Sequence, residues 1–525
     1  MLRPPLRRLA AVLAAALAAR AAAASPLEFL PVSDPLEAEL RVLELYDPPA
    51  AGGRIALPHR DALPLLRLEL MGSGPPPASF AGPRGIALAR IERALARDAT
   101  AGFPAAAVPG ATPRLVQRAW RDDERLELSA GLEGEVDAAE AGGRWSDPQW
   151  ADLSGLHLRL GAQVDHWLAY SHLALGELRG ARRFTDALVA GTDVTASTDD
   201  SWLAYVDGTR WSVAAGRGHF QWGPGEEGSL LLSRTAAPLS ALTLHARLAA
   251  LRADGFVLHA TVDPGRGEQL AAHRLEWQPA DGVRLGVSEA ARYHAAGWQG
   301  VYLVSVIPFS LAQRLLQEDS PDSAARVRNN VMLSADAAWR VADGVRVYGE
   351  ALVDDLHAKS ADVPDKLGFQ LGLDGTGPVR ATRVTWNAEY TWLSRYVYTS
   401  FFGEAFTAQD RPLGFPTGPD TRRLRLRVGW DPDVDWQLGA TVSRTRAGAE
   451  GLGDPFVPGS PVPPLGSLAG VVERTDALEG LLRWWPAAGV DVSARLGWSR
   501  VRDAGHVSGA KADGATAAFA VRLTR

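Results

Sequence analysis

The sequence predicts an all-β transmembrane barrel of about 18 antiparallel strands, preceded by a small helical segment. Three observations predict it. An export signal opens the chain and no apolar run long enough for a membrane helix follows it; side-chain polarity alternates with a two-residue period from Arg121 onward; and the composition holds 17 Trp and 53 Gly against only 3 Met. Trp gathers in the headgroup belts of such barrels, and Gly in their strands and turns.

Arg3, Arg7 and Arg8 form a positive start, Leu9 to Ala19 an apolar stretch too short to span a bilayer, and Ala22, Ala23 and Ala24 a small-residue cleavage site. Residues 1–24 are therefore expected to be a signal peptide removed after Ala24. With no later run of about eighteen apolar residues, the mature chain is expected to leave the cytoplasm completely. The absence of cysteine excludes disulfides, thiolate metal sites, cysteine nucleophiles and a lipidated mature N-terminus. A net charge of -6 argues against a nucleic-acid partner, which needs a strongly basic face. A soluble chain this long would divide into about three domains, yet no linker separates comparable parts, and one large closed sheet fits better.

Residues 25–120 have a different texture from the rest. Pro35 to Tyr46 and Pro83 to Arg97 carry apolar residues at helical spacing, each opened by a proline that suits the first turn of a helix. Prolines 48–49 and 75–77 punctuate the segment. The reading is a small helical part on the periplasmic side.

From Arg121 to residue 525 the period is two. Leu126, Leu128, Ala130 and Leu132 alternate with Glu127, Ser129, Gly131 and Glu133; Leu156, Leu158, Leu160 and Ala162 with His157, Arg159, Gly161 and Gln163. Leu424, Leu426, Val428 and Trp430 alternate with Arg423, Arg425, Arg427 and Gly429, and Val490 to Ser499 repeat the pattern. A face carrying three arginines in a row cannot be a sandwich core, because an unpaired buried charge costs several kcal/mol. Tilted strands of about ten residues cover the apolar band of an outer membrane, and an open edge in lipid would leave amides unpaired, so the sheet must close.

Short connections with Trp at the shoulder recur: Trp277 to Val283 and Trp339 to Val345 contain Asp-Gly, and Trp430 to Val434 and Trp485 to Val490 are similarly brief. They read as a periplasmic rim of tight turns with Trp at headgroup level. Val397 to Thr421 and Gly448 to Arg474 read as longer, extracellular loops. Ala517 to Leu523 alternates as a closing strand should, although Arg525 is not the aromatic terminus many such barrels carry.

The stretch Gly216 to Ser233, GRGHFQWGPGEEGSLLLS, is the most unusual. Gly223, Gly225 and Gly228 match a G-x-G-x-x-G spacing, but Pro224 and two carboxylates would repel a pyrophosphate, and Leu230 to Leu232 do not open an amphipathic helix, which argues against a dinucleotide site. The stretch instead resembles the outer-membrane capsule-assembly proteins of the Wzi type, in which a Gly-Arg stretch runs into a Trp-Gly-Pro-Gly turn and a Ser-Leu-Leu-Leu-Ser strand. Arg411 to Asp420, RPLGFPTGPD, resembles that family's later loop, with Phe415 where His is common. Leu30 to Pro35 is similar to its mature start. Glu226, Glu227 and the run Arg234 to Ala237 depart from the usual residues.

The resemblance implies an eighteen-stranded barrel with a helical periplasmic part that acts as a non-catalytic lectin, holding capsular or other extracellular polysaccharide at the cell surface. Candidate polysaccharide-binding or plug residues are Arg217, His219, Gln221, Trp222 and Glu226 on the first loop, and Tyr396, Tyr398, Phe402, Arg411 and Asp420 on the second. Aromatic faces beside charged groups suit sugars. The same residues also suit an ion-pair plug, and the aromatic cluster an upper membrane girdle. Arg423, Arg425 and Arg427 are expected to line a solvated wall, or to attract an acidic polymer. Expected partners are polysaccharide, outer-membrane lipid and, during biogenesis, the barrel assembly machinery, for a monomeric barrel without cofactor or metal. Two alternatives stand beside the lectin: a passive porin with an Arg-lined lumen, and a lipid hydrolase using Ser229 with His219. His59, Arg60 and Asp61 lack the companions kinase chemistry needs, and neither a G-x-S-x-G elbow nor an H-E-x-x-H spacing occurs.

Overall fold

The computed structural model describes residues 29–30, 35–46, 62–63, 65–66, 82–99, 116–121, 124–139, 151–180, 187–188, 194–207, 210–263, 265–295, 297–303, 309, 329–355, 363–400, 405–409, 411–487 and 490–524. The expected signal peptide and cleavage site, as well as Phe402, lie outside them. Eighteen long antiparallel strands close into one barrel. In chain order they are β1 (Glu124–Ala139), β2 (Ala151–Val164), β3 (Trp167–Gly180), β4 (Val194–Asp207), β5 (Trp211–Gly218) and β6 (Leu239–Leu248). Next come β7 (Ala253–Asp263), β8 (Glu268–Ala280), β9 (Val283–His294), β10 (Asn329–Ala342), β11 (Val345–Asp355) and β12 (Lys366–Val379). The last six are β13 (Thr382–Leu393), β14 (Thr421–Asp431), β15 (Trp436–Ala447), β16 (Glu473–Ala487), β17 (Val490–Arg502) and β18 (Lys511–Thr524). β18 pairs with β1, Phe519 opposite Val136, which leaves no free edge. Two short strands, Val116–Arg121 and Ala187–Leu188, pair with β1 and β4, so strand pairing starts just before Arg121.

The two-residue period translates directly into inside and outside. Leu156 and Leu160 on β2, Leu371 and Leu373 on β12, Leu424, Leu426, Val428 and Trp430 on β14, and Leu478 and Leu482 on β16 all stand exposed on the outer face. Such a continuous apolar belt is stable only against lipid. At the short-turn rim Gly282 and Gly344 both sit at φ 78°, the left-handed region that glycine tolerates at no steric cost. Trp277, Trp339 and Trp430 are exposed beside those turns. Trp485 departs from the expected shoulder position. Since Leu478, Leu482 and Trp484 of β16 face outward, its alternation turns Trp485 inward, where Arg90 lies 4.6 Å over its ring; the outward Trp484 stacks on Trp436 at 5.2 Å. The long connections 394–420 and 448–472 lie at the opposite rim.

One outer sector breaks the apolar pattern. His259 on β7, His273 on β8 and Glu289 on β9 face outward, and a strap that includes residues 297–303 and Phe309 covers them. Tyr302 and Phe309 are fully buried against Ala271, Ala291 and Tyr293. His259 Nε2 lies 2.7 Å from the Tyr302 carbonyl, and Glu289 accepts from the Phe309 amide at 2.8 Å and meets His273 Nδ1 at 3.2 Å. The strap thus supplies the polar partners that lipid cannot.

Two helices, α1 (Pro35–Glu44) and α2 (Gly82–Ala99), form where helical spacing was read, and they pack together with Leu40, Leu43, Ile86, Ala87 and Ile91 buried. They dock at the short-turn rim. Glu39 of α1 accepts from Arg383 of β13, Nη2 at 2.8 Å, and from Arg90 of α2 at 2.7 Å. Both arginines also reach Asp431 at the end of β14, at 2.7 and 3.0 Å. Burial alone would raise the Glu39 pKa, but the two guanidiniums outweigh it and hold the carboxyl below its ordinary value. Tyr46 donates to the Thr376 carbonyl at 2.9 Å, and the Gly344 amide donates to the Leu45 carbonyl at 2.9 Å, which ties the helical segment to the turns.

Candidate functional site

After β5 the chain turns into the barrel instead of away from it, and residues 219–238 form a plug. Gln221 and Trp222 pair antiparallel with Leu63 and Ala62, and Trp222 bridges to Leu232 within the loop itself. The Trp-Gly-Pro-Gly turn needs its glycines for close approach. A Cβ on Gly223 would stand 2.7 Å from Ser229 Oγ, and one on Gly225 2.2 Å from the Gly228 carbonyl. Leu230, Leu231 and Leu232 are fully buried in a core that includes Phe256, Leu258, Leu270, Leu413 and Phe415. At about 1.5–3 kcal/mol for each fully buried side chain, this apolar patch is the plug's main adhesive.

Its orientation is set by carboxylates. Glu350, inward on β11, accepts from Ser229 Oγ and the Leu230 amide, both at 2.9 Å, and from Ser334 Oγ at 2.8 Å. Glu389 on β13 accepts from the Glu226 amide at 2.9 Å and from the Tyr348 hydroxyl at 2.6 Å. Glu227 takes a two-pronged ion pair from Arg423 at 2.7 and 2.6 Å, and Glu226 pairs with Arg427. Burial would raise the Glu226 pKa, but Arg427, Arg425 and Arg234 together hold it down at about 2. The arginine row of β14 is therefore not a solvated wall. Its charges meet acids delivered by the plug, because a run of one sign on a buried face must find its counter-charges elsewhere. Arg234 completes the set by bridging Gln221 at 3.0 Å and Glu37 of α1 at 2.7 and 3.0 Å. Three of the positions that depart from the resembled family, Glu226, Glu227 and Arg234, are thus the ones that carry the plug's ion pairs.

The described residues of the connection 394–420 cap the plug. Tyr398, at φ 68°, donates from its hydroxyl to the Leu230 carbonyl at 2.6 Å and accepts from the Phe415 amide at 3.1 Å. Tyr396 donates to Glu450 at 3.2 Å and packs edge-on against Phe456. Asp420, also at positive φ, accepts from the Ala469 and Glu450 amides at 3.0 and 3.3 Å, fastening the 448–472 loop to the head of β14. Burial, incompletely offset by those donors and by Arg395, keeps its carboxyl above the ordinary aspartate value.

The structure brings Gln221, Trp222 and Glu226 together in the plug and places Tyr398 against it. Tyr396 and Asp420 join the outer loops instead. Arg411 is buried and paired across a short ribbon with Ala408; Arg217 lies in the wall on β5 between Ser201 and Ser240; and His219 Nδ1 meets the Ala236 carbonyl at 3.0 Å. Trp222, Gln221, Tyr398 and Asp420 are almost wholly buried, so they act on the loops and present no surface. The suggested nucleophile and base are not assembled: Ser229 is buried and spends its hydroxyl on Glu350 and the Trp222 carbonyl. Among the described residues no cluster of His, Asp and Glu could hold a metal ion. The anchors Glu39, Glu350 and Glu389 were not singled out in the sequence; alternation marks the last two as lumenal, but nothing local marks what they hold.

A family model described as Capsule assembly protein Wzi matches residues 124–515. Among solved structures, the chain is similar to Wzi of Escherichia coli, described as an outer membrane protein involved in group 1 capsule assembly and a carbohydrate binding beta-barrel. The match has 14% identity over 94% of this chain and 99% of that one, with a TM-score of 0.60. OccK5 (OpdH) of Pseudomonas aeruginosa shares 10% identity over 78% of this chain and 99% of that one at a TM-score of 0.43. OccAB1 of Acinetobacter baumannii shares 8% over 78% and 98% at 0.44. These last two likenesses carry no argument. No curated protein matches the sequence.

Proposed function

This chain belongs to the Wzi family of capsule assembly proteins, and from that premise we propose that it is a non-catalytic surface lectin of the outer membrane that attaches or organises capsular or other extracellular polysaccharide. In this reading residues 1–24 are a cleaved signal. The segment 25–120, with α1 and α2, then faces the periplasm at the short-turn rim, and the loops 394–420 and 448–472 face outward.

The observation that carries the reading is the plug. A lumenal loop fastened by Glu350, Glu389 and the Glu227 to Arg423 pair gives the outer loops the rigid support that a platform for a heavy polymer needs. Rigid loops bind without the cost of ordering side chains on contact, which suits weak subsites repeated along a polymer.

Deleting the gene tests the reading: polysaccharide should leave the washed cells and appear in the medium. Unchanged cell-bound polysaccharide would refute it. In planar bilayers the purified barrel should show no steady ohmic conductance, and a steady conductance would favour the porin.

A further inference from the structure

At the long-loop rim, three segments that are distant in sequence, 363–365, 394–395 and 462–467, enclose a cleft of about 230 Å³. Its lining divides by chemistry. Val462, Pro463, Pro464 and Leu465 make one apolar wall, Val363 and Pro364 add apolar surface, and Asp365 and Arg395 supply charges of both signs. A pyranose ring has the same division, a C–H face and a girdle of hydroxyls that both donate and accept. We propose that this cleft is a subsite for a single uncharged hexose residue of the bound polysaccharide, an inference that rests on the surface-lectin reading above.

The cleft is built and braced. Arg395 Nε donates to the Ser467 carbonyl at 3.1 Å, Arg422 donates to the Gly466 carbonyl, and the Ala469 amide donates to Asp420 at 3.0 Å. The wall 462–469 is thereby fixed to Arg395 just past β13 and to the head of β14, and two consecutive prolines stiffen it further, so a ligand meets a formed surface. Ser394 Oγ is held by the Leu367 amide at 2.8 Å. The volume is below the usual range for drug-sized molecules and suits one ring of a chain that continues over the open side. Asp365 and Arg395 both line the cleft and balance its charge, so a uronate would gain from the guanidinium and lose to the carboxylate, whereas the hydroxyls of a neutral sugar are served by both.

The test uses the full-length barrel in detergent and titrates it with fragments of the host cell's own surface polysaccharide, neutral hexose oligomers and oligogalacturonate. Val462→Trp fills the cleft and Asp365→Asn removes the acceptor charge. Each should weaken binding of the native fragments and the neutral oligomers by about tenfold or more, the scale of one lost charge-assisted hydrogen bond, while the heat-modifiable mobility of the folded barrel stays as in the wild type. If the wild type binds native fragments and both variants bind them equally well, the cleft is not the subsite, although the lectin reading stands. If oligogalacturonate binds more tightly than the neutral oligomers, the assignment to an uncharged sugar is wrong. If the wild type binds no native fragment, the lectin reading fails and the cleft assignment with it.

Discussion

The wall from β8 to β14 and the wall formed by β16 and β17 are woven from the same alternating pattern, yet their inner faces differ. On the first, Arg274 is fully buried and holds Asp336, itself 2% exposed, at 2.6 Å. On the second, Arg483 and Asp491 form an equally direct pair but keep 20% and 17% of their side chains exposed. The plug and α1 lie on the first wall, where Glu227 reaches Arg423 and Glu39 reaches Arg383, while the second wall meets α2 at the rim, where Arg90 lies over Trp485. Alternation decides which way a side chain points. Whether that direction is dry is decided by what the chain brings against it.

The contrast can be broken by substituting the same residue type on both walls. Arg274→Ala would remove the guanidinium that buried Asp336 and Glu276 share, and removal of one partner from a buried set costs about 3–5 kcal/mol. The thermal midpoint of the folded barrel should fall by the largest amount of any change considered. A charge placed in the outer belt should come next. Leu426→Arg sets a guanidinium against lipid near mid-strand on β14, at about 2–4 kcal/mol, read as lost folding yield in lipid vesicles.

The plug itself should respond to acid. Glu226 is held at about 2 against an ordinary 4.5, so its pairing contributes stability that is fully present above about pH 4.5 and is lost as pH falls toward 2. Protease cleavage within 219–238 should increase over that window, and Glu226→Gln should flatten the response. A plug equally resistant at pH 2.5 and 6 would contradict the arginine clamp. Smallest of all, Arg483→Ala should cost no more than about 1 kcal/mol, and Arg444→Ala, in a solvent-exposed pair with Asp476, less still. If Arg483→Ala proved as damaging as Arg274→Ala, the second wall would also be dry and the comparison would collapse.

Much of the fold was legible because it depends on neighbours in the chain. Gly282 and Gly344 turn where Asp-Gly was read, and α1 and α2 appear where apolar residues recur at helical spacing. The outer belt of β14 follows from Leu424, Leu426 and Val428. The candidate site was less legible. Glu226, Glu227 and Arg234 stood out as unusual, but their partners lie far away in sequence: Arg423 is 196 residues from Glu227, and Glu37 is 197 from Arg234. Tyr398 and Asp420 were read as polysaccharide-binding or plug residues, and nothing near them in sequence marks the positive φ angles they adopt or the loop contacts that bury them. Trp485 was assigned to the rim one residue out of phase, an error of the kind a two-residue period makes costly.

The sequence alone determined the alternation of faces, the tight-turn rim, the helical start and the resemblance that pointed to the family, because each of these is written within a dozen residues. Only the tertiary structure decided that residues 219–238 fold into the lumen, which arginines are clamped and where the loops leave a cleft. Burial and charge pairing are properties of what meets across space, and closing the sheet is what brings those distant groups together.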